Sequence, residues 1–487
     1  MSGVTSSTPL EQLAAWQVAD AVASGEVSAH EVVTRVLQSV RSRDANINAY
    51  TDLTERRALQ EADAIDARRK RGEPMPALAG VPYAVKNLFD VEGLQTLAGG
   101  HRGRAGAPVS RDATLVTRAA NAGACLIGAL NMDAYAYGFT TENSFHGVTR
   151  NPHDPLRVAG GSSGGCGAAV AADMCAFSLG SDTNGSIRVP SSFCGVFGLK
   201  PTFGGLSRGG SRPFVHNIDH LGPFARSPRD LARVFDVLVG LDERDHGCTR
   251  AAPLPGESTT EAAVLRATQE GLGGLRVARL NGYFDHWAGP DARTASRSVA
   301  MMFAAQEELD VPNVAAARAS GFVITASESG ELYRSELQAH YADMEPLNRD
   351  RMLAGSLLPA TWYVQAQRFR QQFVRQMLAL FERFDLLVAP ATPCVATEIG
   401  QQWLELPGGR VPARPSIGLL TQPISFIGLP VVVAPLPTAN GMPIGVQLIA
   451  APGREDVALA AAAVLEAGGY TYTPKRSQRD ELDRHEH

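Results

Sequence analysis

Residues 160–190 constrain this chain more than any other stretch. Gly160-Gly161-Ser162-Ser163-Gly164-Gly165 is followed by an apolar segment and then by Gly180-Ser181-Asp182-Thr183-Asn184-Gly185-Ser186-Ile187-Arg188-Val189-Pro190. One such hexapeptide alone reads as a turn or a phosphate cradle as readily as a catalytic loop. Two serine-glycine loops bracketing one apolar segment place several hydroxyls and flexible backbone N–H groups within reach of one point. Acyl transfer needs such an arrangement, because a serine hydroxyl is a weak nucleophile until a base takes its proton and the tetrahedral oxyanion needs donors fixed nearby.

The surrounding texture points to an α/β architecture. From Leu78 to about Pro223, short apolar runs such as Gly-Val-Pro-Tyr-Ala-Val-Lys and Cys-Leu-Ile-Gly-Ala-Leu are separated by dense glycine, which predicts buried strands joined by tight loops and helices. Pro9 to about Arg71 reads as helices, with Leu13, Trp16, Val18 and Val22, then Val32, Val33, Val36, Leu37 and Val40, at helical spacing. Residues 227–383 return to helical patterning around one apolar run, 275–280. Three further runs, 386–390, 431–434 and 446–449, are flanked by Pro or Gly and read as strands rejoining the first sheet. The expected organisation is a helical N-terminal segment, 1–75, packed on a domain over 76–487, with a core at 78–225, a helical insertion at about 227–383 and returning strands at 385–468. No linker separates the halves, so one interleaved domain is expected.

Composition excludes several classes of function. Over 487 residues the formal net charge is -5 with no long Lys/Arg run, which argues against nucleic acid or a membrane surface as partner. Six scattered cysteines, with no C-x-x-C pair, fit neither a disulfide scaffold nor a zinc site, and no metal or cofactor is expected. The first residues lack a basic region followed by an apolar one, and no apolar run reaches about 18 residues, so a cytoplasmic protein without a membrane span is expected.

The two loops, with Gly80-Val81-Pro82-Tyr83-Ala84-Val85-Lys86-Asn87 upstream, resemble the amidase signature family in order and spacing. Asn131-Met132-Asp133, Thr141-Glu142-Asn143-Ser144, Gly198-Leu199-Lys200-Pro201-Thr202 and Gly441-Met442-Pro443-Ile444-Gly445-Val446-Gln447 extend the resemblance to nearly the whole chain. It implies a large mixed β-sheet sandwiched by helices, and a Ser-Ser-Lys triad: Ser186 as nucleophile, Ser162 after a cis peptide as proton relay, and Lys86 as base. Ser163 matches a neighbour that holds the lysine and the loop. The backbone N–H groups of Thr183, Asn184, Gly185 and Ser186 match an oxyanion hole. Asn184 departs from the family, which commonly has glycine there; asparagine tolerates left-handed geometry, but its side chain narrows the pocket. A lysine base must be neutral, which burial after the apolar 81–85 run would favour.

Within that family the chain resembles a branch acting on small urea-like molecules, so the resemblance implies hydrolysis of a terminal amide with release of ammonia. The candidate substrates are 1-carboxybiuret, biuret, guanylurea or another ureido compound. A glutaminase subunit of a tRNA-dependent amidotransferase is the second reading, and a noncatalytic scaffold the third. The resemblance also implies a small helical companion subunit, giving two large and two small chains. For a small polar ureido substrate, Tyr137, His216 and Asp219 are the candidate binding residues. A Ser-His-Asp reading of His216, Asp219 and His220 lacks a G-x-S-x-G elbow around Ser186. Cys166 reads as a small filler and Arg188 as an anchor of the nucleophile loop.

Overall fold

A computed structural model describes residues 8–250 and 259–473, so the outermost ends of the 1–75 and 76–487 divisions lie outside the described residues. At its centre is an 11-stranded sheet. Its strands are β1 (Tyr50–Leu53), β2 (Pro82–Lys86), β3 (Cys125–Leu130), β4 (Phe177–Asp182), β5 (Phe197–Lys200), β6 (His220–Ala225), β7 (Val277–Leu280), β8 (Glu307–Leu309), β9 (Leu386–Pro390), β10 (Val431–Pro437) and β11 (Pro443–Ala450). Their spatial order is β1-β3-β2-β4-β6-β5-β10-β11-β9-β7-β8. The sheet is mixed: β3, β2 and β4 run parallel, as do β9, β7 and β8, while β6, β5, β10 and β11 pair antiparallel.

Strands β2, β3, β4, β6 and β11 are buried along their whole length, which is why they appear in the sequence as short continuous apolar runs rather than as alternating ones. Helices cover the sheet. Glu455–Ala467, nearly all alanine, valine and leucine, packs between β10 and the helices Pro228–Leu238 and Thr260–Glu270. The second of these partners begins beyond the undescribed stretch; the first is capped by the Ser227 hydroxyl, which accepts from the Asp230 N–H at 3.1 Å, with Pro228 in its first turn.

The N-terminal helices Ala15–Ser24 and Ala29–Ile47 bury the apolar positions that the spacing marks, apart from the half-buried Trp16, but the reading of 9–71 as helices alone misses β1. This four-residue edge strand pairs antiparallel with β3 through a register shift at Tyr50/Asp52. Only Tyr50 of its side chains is buried, so it leaves no alternating signature. The insertion likewise holds β8, Glu-Glu-Leu, an edge strand whose exposed polar side chains carry no strand pattern.

Two helices of the insertion, Val314–Leu332 and Pro346–Ser356, cross where a side chain would not fit: a Cβ on Gly355 would lie 1.9 Å from the Ala326 carbonyl oxygen. That close approach brings Phe322, Thr325 and Arg351 over one end of the central sheet. Because β2, β3 and β4 are parallel, their carboxyl ends emerge at this same end, and β6 starts there opposite Asp182. Among the described residues no helix is long and apolar enough to cross a membrane.

Candidate active site

The loop carrying Ser186 connects β4 to the helix Arg188–Cys194, and the last residue of β4 organises it. The Asp182 carboxylate accepts from the N–H groups of Gly185 at 2.8 Å and Ile187 at 3.2 Å, and from both Nε and Nη2 of Arg188 at 3.0 Å. Arg188 is fully buried; it also donates to the Thr421 carbonyl at 3.0 Å, to Gln447 Oε1 at 2.6 Å and to the Ser425 hydroxyl. Burial alone would raise the Asp182 pKa, but the Arg188 charge and its hydrogen bonds override it and hold the carboxyl well below the ordinary range. Gly185 has φ +135°, and a Cβ there would lie 2.1 Å from Thr421 Oγ1, so glycine is required on both counts. The Thr421 hydroxyl in turn donates to the Asn184 carbonyl at 2.8 Å.

Lys86, the last residue of β2, is fully buried; its ammonium donates to Ser162 Oγ at 2.7 Å and to Ser181 Oγ at 2.8 Å. Burial is the main influence on its pKa and lowers it from 10.5 to about 8, against the opposing pull of the Asp133, Asp219 and Asp182 carboxylates. The Cys166 thiol is itself pushed up to about 12 by burial, so it stays protonated and acts as a small buried filler. The Gly161–Ser162 peptide bond is cis. Ser163 does not reach the lysine: its hydroxyl donates to the Ser181 carbonyl at 3.1 Å and accepts from the Ser181 N–H at 3.3 Å, tying the two serine loops together. The second hydroxyl on the ammonium therefore belongs to Ser181, to which sequence reasoning assigned no role. The signal was available, since Ser181 sits in the same Gly-Ser run one residue before Asp182.

Ser186 is 3% exposed and lines a small cavity. Tyr137, Gly138 and Phe139 form one wall, Phe322, Thr325 and Arg351 of the insertion another, and Thr183, Asn184 and Gln422 lie at its base. The Asn184 side chain, where glycine is common, donates to Thr325 Oγ1 at 3.0 Å, so it points at the insertion and fills part of the pocket rather than leaving it open.

Of the candidate binding residues, only Tyr137 lines this cavity. His216 is exposed and faces a larger neighbouring cavity, which also contacts Ser181, Thr183, Arg208 and Arg212. Asp219 lies on the wall of that second cavity with its carboxylate already engaged, by the Thr183 hydroxyl at 2.6 Å and the N–H groups of Phe214 and Val215 at 2.7 and 2.8 Å. Its place is that of a brace for Thr183. His220 is buried at the start of β6 with Nδ1 3.2 Å from the Asp182 carbonyl, and burial holds its pKa well below the ordinary imidazole value. Phe322, Thr325, Arg351 and Gln422 were not singled out from sequence as site residues, because helices 100 and more residues downstream carry no local mark of where they dock. Among the described residues no three His, Cys, Asp or Glu side chains gather as a metal-binding group.

A family model for amidases matches residues 31–459. The chain is 52% identical over 455 residues to AtzE, a 1-carboxybiuret hydrolase subunit of Pseudomonas sp. (strain ADP), covering 93% of this chain and 98% of that protein. It is 33% identical over 484 residues to a subunit of the glutamyl-tRNA(Gln) amidotransferase of Moorella thermoacetica, covering 94% and 96%. A solved chain described as part of an unexpected vestigial protein complex, one that reveals the evolutionary origins of an s-triazine catabolic enzyme, superposes with a TM-score of 0.91 at 51% identity, over 94% of this chain and 99% of that one.

Proposed function

The chain belongs to the amidase signature family and is a hydrolase of amides, and from that premise we propose that it cleaves a terminal amide of a small urea-like molecule through an acyl-enzyme on Ser186. The observation that carries this reading is the fully buried Lys86 amine, lowered to about 8 and 2.7 Å from Ser162 Oγ, beside the glycine-dependent loop of Ser186. In the proposed reaction neutral Lys86 takes the Ser162 proton while Ser162 takes that of Ser186. Ser186 Oγ then adds to the substrate carbonyl. The backbone N–H groups of Thr183, Asn184 and Ser186 are the proposed donors to the oxyanion; the Gly185 N–H, expected as a fourth, is engaged by Asp182, which with Thr421 fixes the loop. Collapse of the intermediate breaks the C–N bond, and the proton held on the relay passes to the leaving nitrogen, which departs as ammonia. Water, deprotonated by the same relay, adds to the acyl carbon and releases Ser186 with its proton restored.

The small size of the Ser186 cavity supports a substrate of few atoms, and the 52% identity to a 1-carboxybiuret hydrolase subunit supports 1-carboxybiuret or a close relative. Biuret and guanylurea are the other ureido candidates, and glutamine, the second reading, rests on the lower identity to the amidotransferase subunit. The similarity to a chain solved in a protein complex supports a companion subunit, which we propose to be small and helical, in an assembly of two large and two small chains.

The test is ammonia release from 1-carboxybiuret, biuret, guanylurea, glutamine and simple amides by the wild type and by Ser186→Ala. We expect activity on a ureido compound and a loss of at least about a thousandfold in Ser186→Ala. Activity near wild type in that variant would overturn the nucleophile assignment, and glutamine as the preferred substrate would overturn the ureido reading.

A further inference from the structure

We propose that Arg414 is a positioning residue of the proton relay: through Asp133 it holds the backbone that carries Ser162, and it keeps the Asp133 charge from acting on Lys86. The inference rests on the reading of Ser186, Ser162 and Lys86 as nucleophile, relay and base, and adds to them a residue from the returning half of the chain.

Asp133 is buried against the relay loop, and its N–H donates to the Ser162 carbonyl at 3.1 Å. Its carboxylate presses on Gly161, where a Cβ would come 2.1 Å from Oδ2. The same Oδ2 accepts from the N–H groups of Thr140 and Thr141 at 3.2 and 3.0 Å. The Thr141 hydroxyl then spans the relay serine, donating to the Gly160 carbonyl at 2.8 Å and accepting from the Gly164 N–H at 3.1 Å. Ser162 is thus tied to Asp133 on both of its flanks.

Asp133 is in turn held by Arg414, 281 positions downstream in the short helix Ala413–Ser416, whose Nη2 donates to Oδ1 at 2.9 Å. The Asp133 side chain is fully out of water and that of Arg414 is 15% exposed, so solvent ions screen the pair little. Nε and Nη1 of Arg414 are buried without a hydrogen-bond partner. Arg188, which ties elements together, has an acceptor on each of its three nitrogens. The contrast marks Arg414 as a residue held for its charge more than for its bonds.

That charge has a target. Three carboxylates, Asp133, Asp219 and Asp182, favour the ammonium form of Lys86, while the Cys166 thiol beside it is protonated. Asp182 is paired with Arg188 at 3.0 Å, and Asp219 is engaged by the Thr183 hydroxyl and two backbone N–H groups. Asp133 faces Glu142 and Arg351 as well as Lys86, and its ion pair is with Arg414. Burial pushes the Asp133 carboxyl up, and the Arg414 charge is the largest influence against it. Without Arg414 the Asp133 charge would bear on the Lys86 amine unopposed and favour the protonated form, which cannot act as base.

The test reads the base without depending on which amide is the substrate. Methanesulfonyl fluoride is a small reagent whose sulfur takes the Ser186 oxygen as fluoride leaves, the serine proton passing through Ser162 to Lys86. Its inactivation rate is followed against pH for the wild type, Arg414→Gln, Arg414→Lys and Asp133→Asn, each with any companion subunit the protein carries. The wild-type rate should rise toward about 8 and level off. Arg414→Gln should move the rising limb upward by about half a pH unit or more and lower the plateau about tenfold, and Arg414→Lys should restore the limb. Asp133→Asn, which leaves the arginine charge unopposed, should move the limb downward. Loosened packing alone would not move the two limbs in opposite directions. A limb in Arg414→Gln that coincides with the wild type or falls below it would overturn the proposal. Should that variant fail to fold, a limb unmoved or raised in Asp133→Asn would overturn it equally. Inactivation that persists in Ser186→Ala would instead remove the nucleophile reading beneath the proposal, a result distinct from coincident limbs in proteins that still react at Ser186.

Discussion

A lysine can serve as a base at neutral pH only if its surroundings favour the uncharged amine, and here one residue sets how far. Full burial lowers Lys86 to about 8, while the hydroxyl oxygens of Ser162 and Ser181 accept from the ammonium and so favour the charged form. The signs are opposite, and burial wins. Since the base is the neutral species, kcat/KM is expected to climb as pH rises toward about 8 and then level off. Ser181→Ala removes one acceptor of the charged form, so the rising limb should move to lower pH, together with a several-fold drop at the plateau as the amine loses its fixed orientation. A pH–rate profile of the two proteins checks this; a limb that moves upward, or not at all, would show that Ser181 does not act through the lysine. Lys86→Arg should stay inactive across the range, because a guanidinium remains protonated.

At the scale of elements, the site depends on how tightly the insertion helices cross. Val314–Leu332 supplies Phe322 and Thr325, Pro346–Ser356 supplies Arg351, and both reach the cavity because Gly355 lets the helix backbones meet. Gly355→Ala would place a methyl group 1.9 Å from the Ala326 carbonyl oxygen, so the helices must separate. The intrinsic preference of a helix for alanine over glycine, about 1 kcal/mol, works in the other direction and is outweighed by a backbone overlap of this size. The expected outcome is a loss of about 1–3 kcal/mol in stability by urea titration and a rise in KM larger than the fall in kcat. The reacting groups on β2 and the β4 loop stay in place while the pocket wall shifts. A fall in kcat with KM unchanged would place the effect on the chemistry instead.

For the whole molecule, the Asp182–Arg188 pair joins the two parts of the chain that build the sheet. Arg188 reaches the Thr421 carbonyl, Ser425 and Gln447 on the returning segment, and Asp182 holds the Ser186 loop of the first. Asp182→Asn leaves a buried guanidinium without its counter-charge, which should cost about 3–5 kcal/mol of stability. The sign of the pH dependence follows from the lowered folded-state pKa of Asp182: its contribution is present above the ordinary carboxylate value of about 3.9 and is lost as pH falls through the folded value. The wild type should therefore lose stability in acid more steeply than Asp182→Asn, as urea titrations from neutral pH downward would show. Parallel curves would mean that the pair contributes nothing specific.

The sequence by itself determined the family and the α/β class, because both live in local patterns. Buried strands leave continuous apolar runs, and two Gly-Ser loops around one such run are the mark of a backbone that must pass close to a reacting centre. The edge strands β1 and β8 escaped that reading because they bury too little to need a pattern. Only the tertiary structure decided that Ser181, not Ser163, is the second hydroxyl on Lys86, that Asp219 is spent on Thr183 and two backbone N–H groups, and that Arg351 stands over Tyr137 without a carboxylate. The physical reason is the same in each case: which hydrogen bond or ion pair a polar side chain makes depends on what is left unpaired around it. Residues more than 200 positions apart in the chain, such as Tyr137 and Arg351, are brought together only by the tertiary fold.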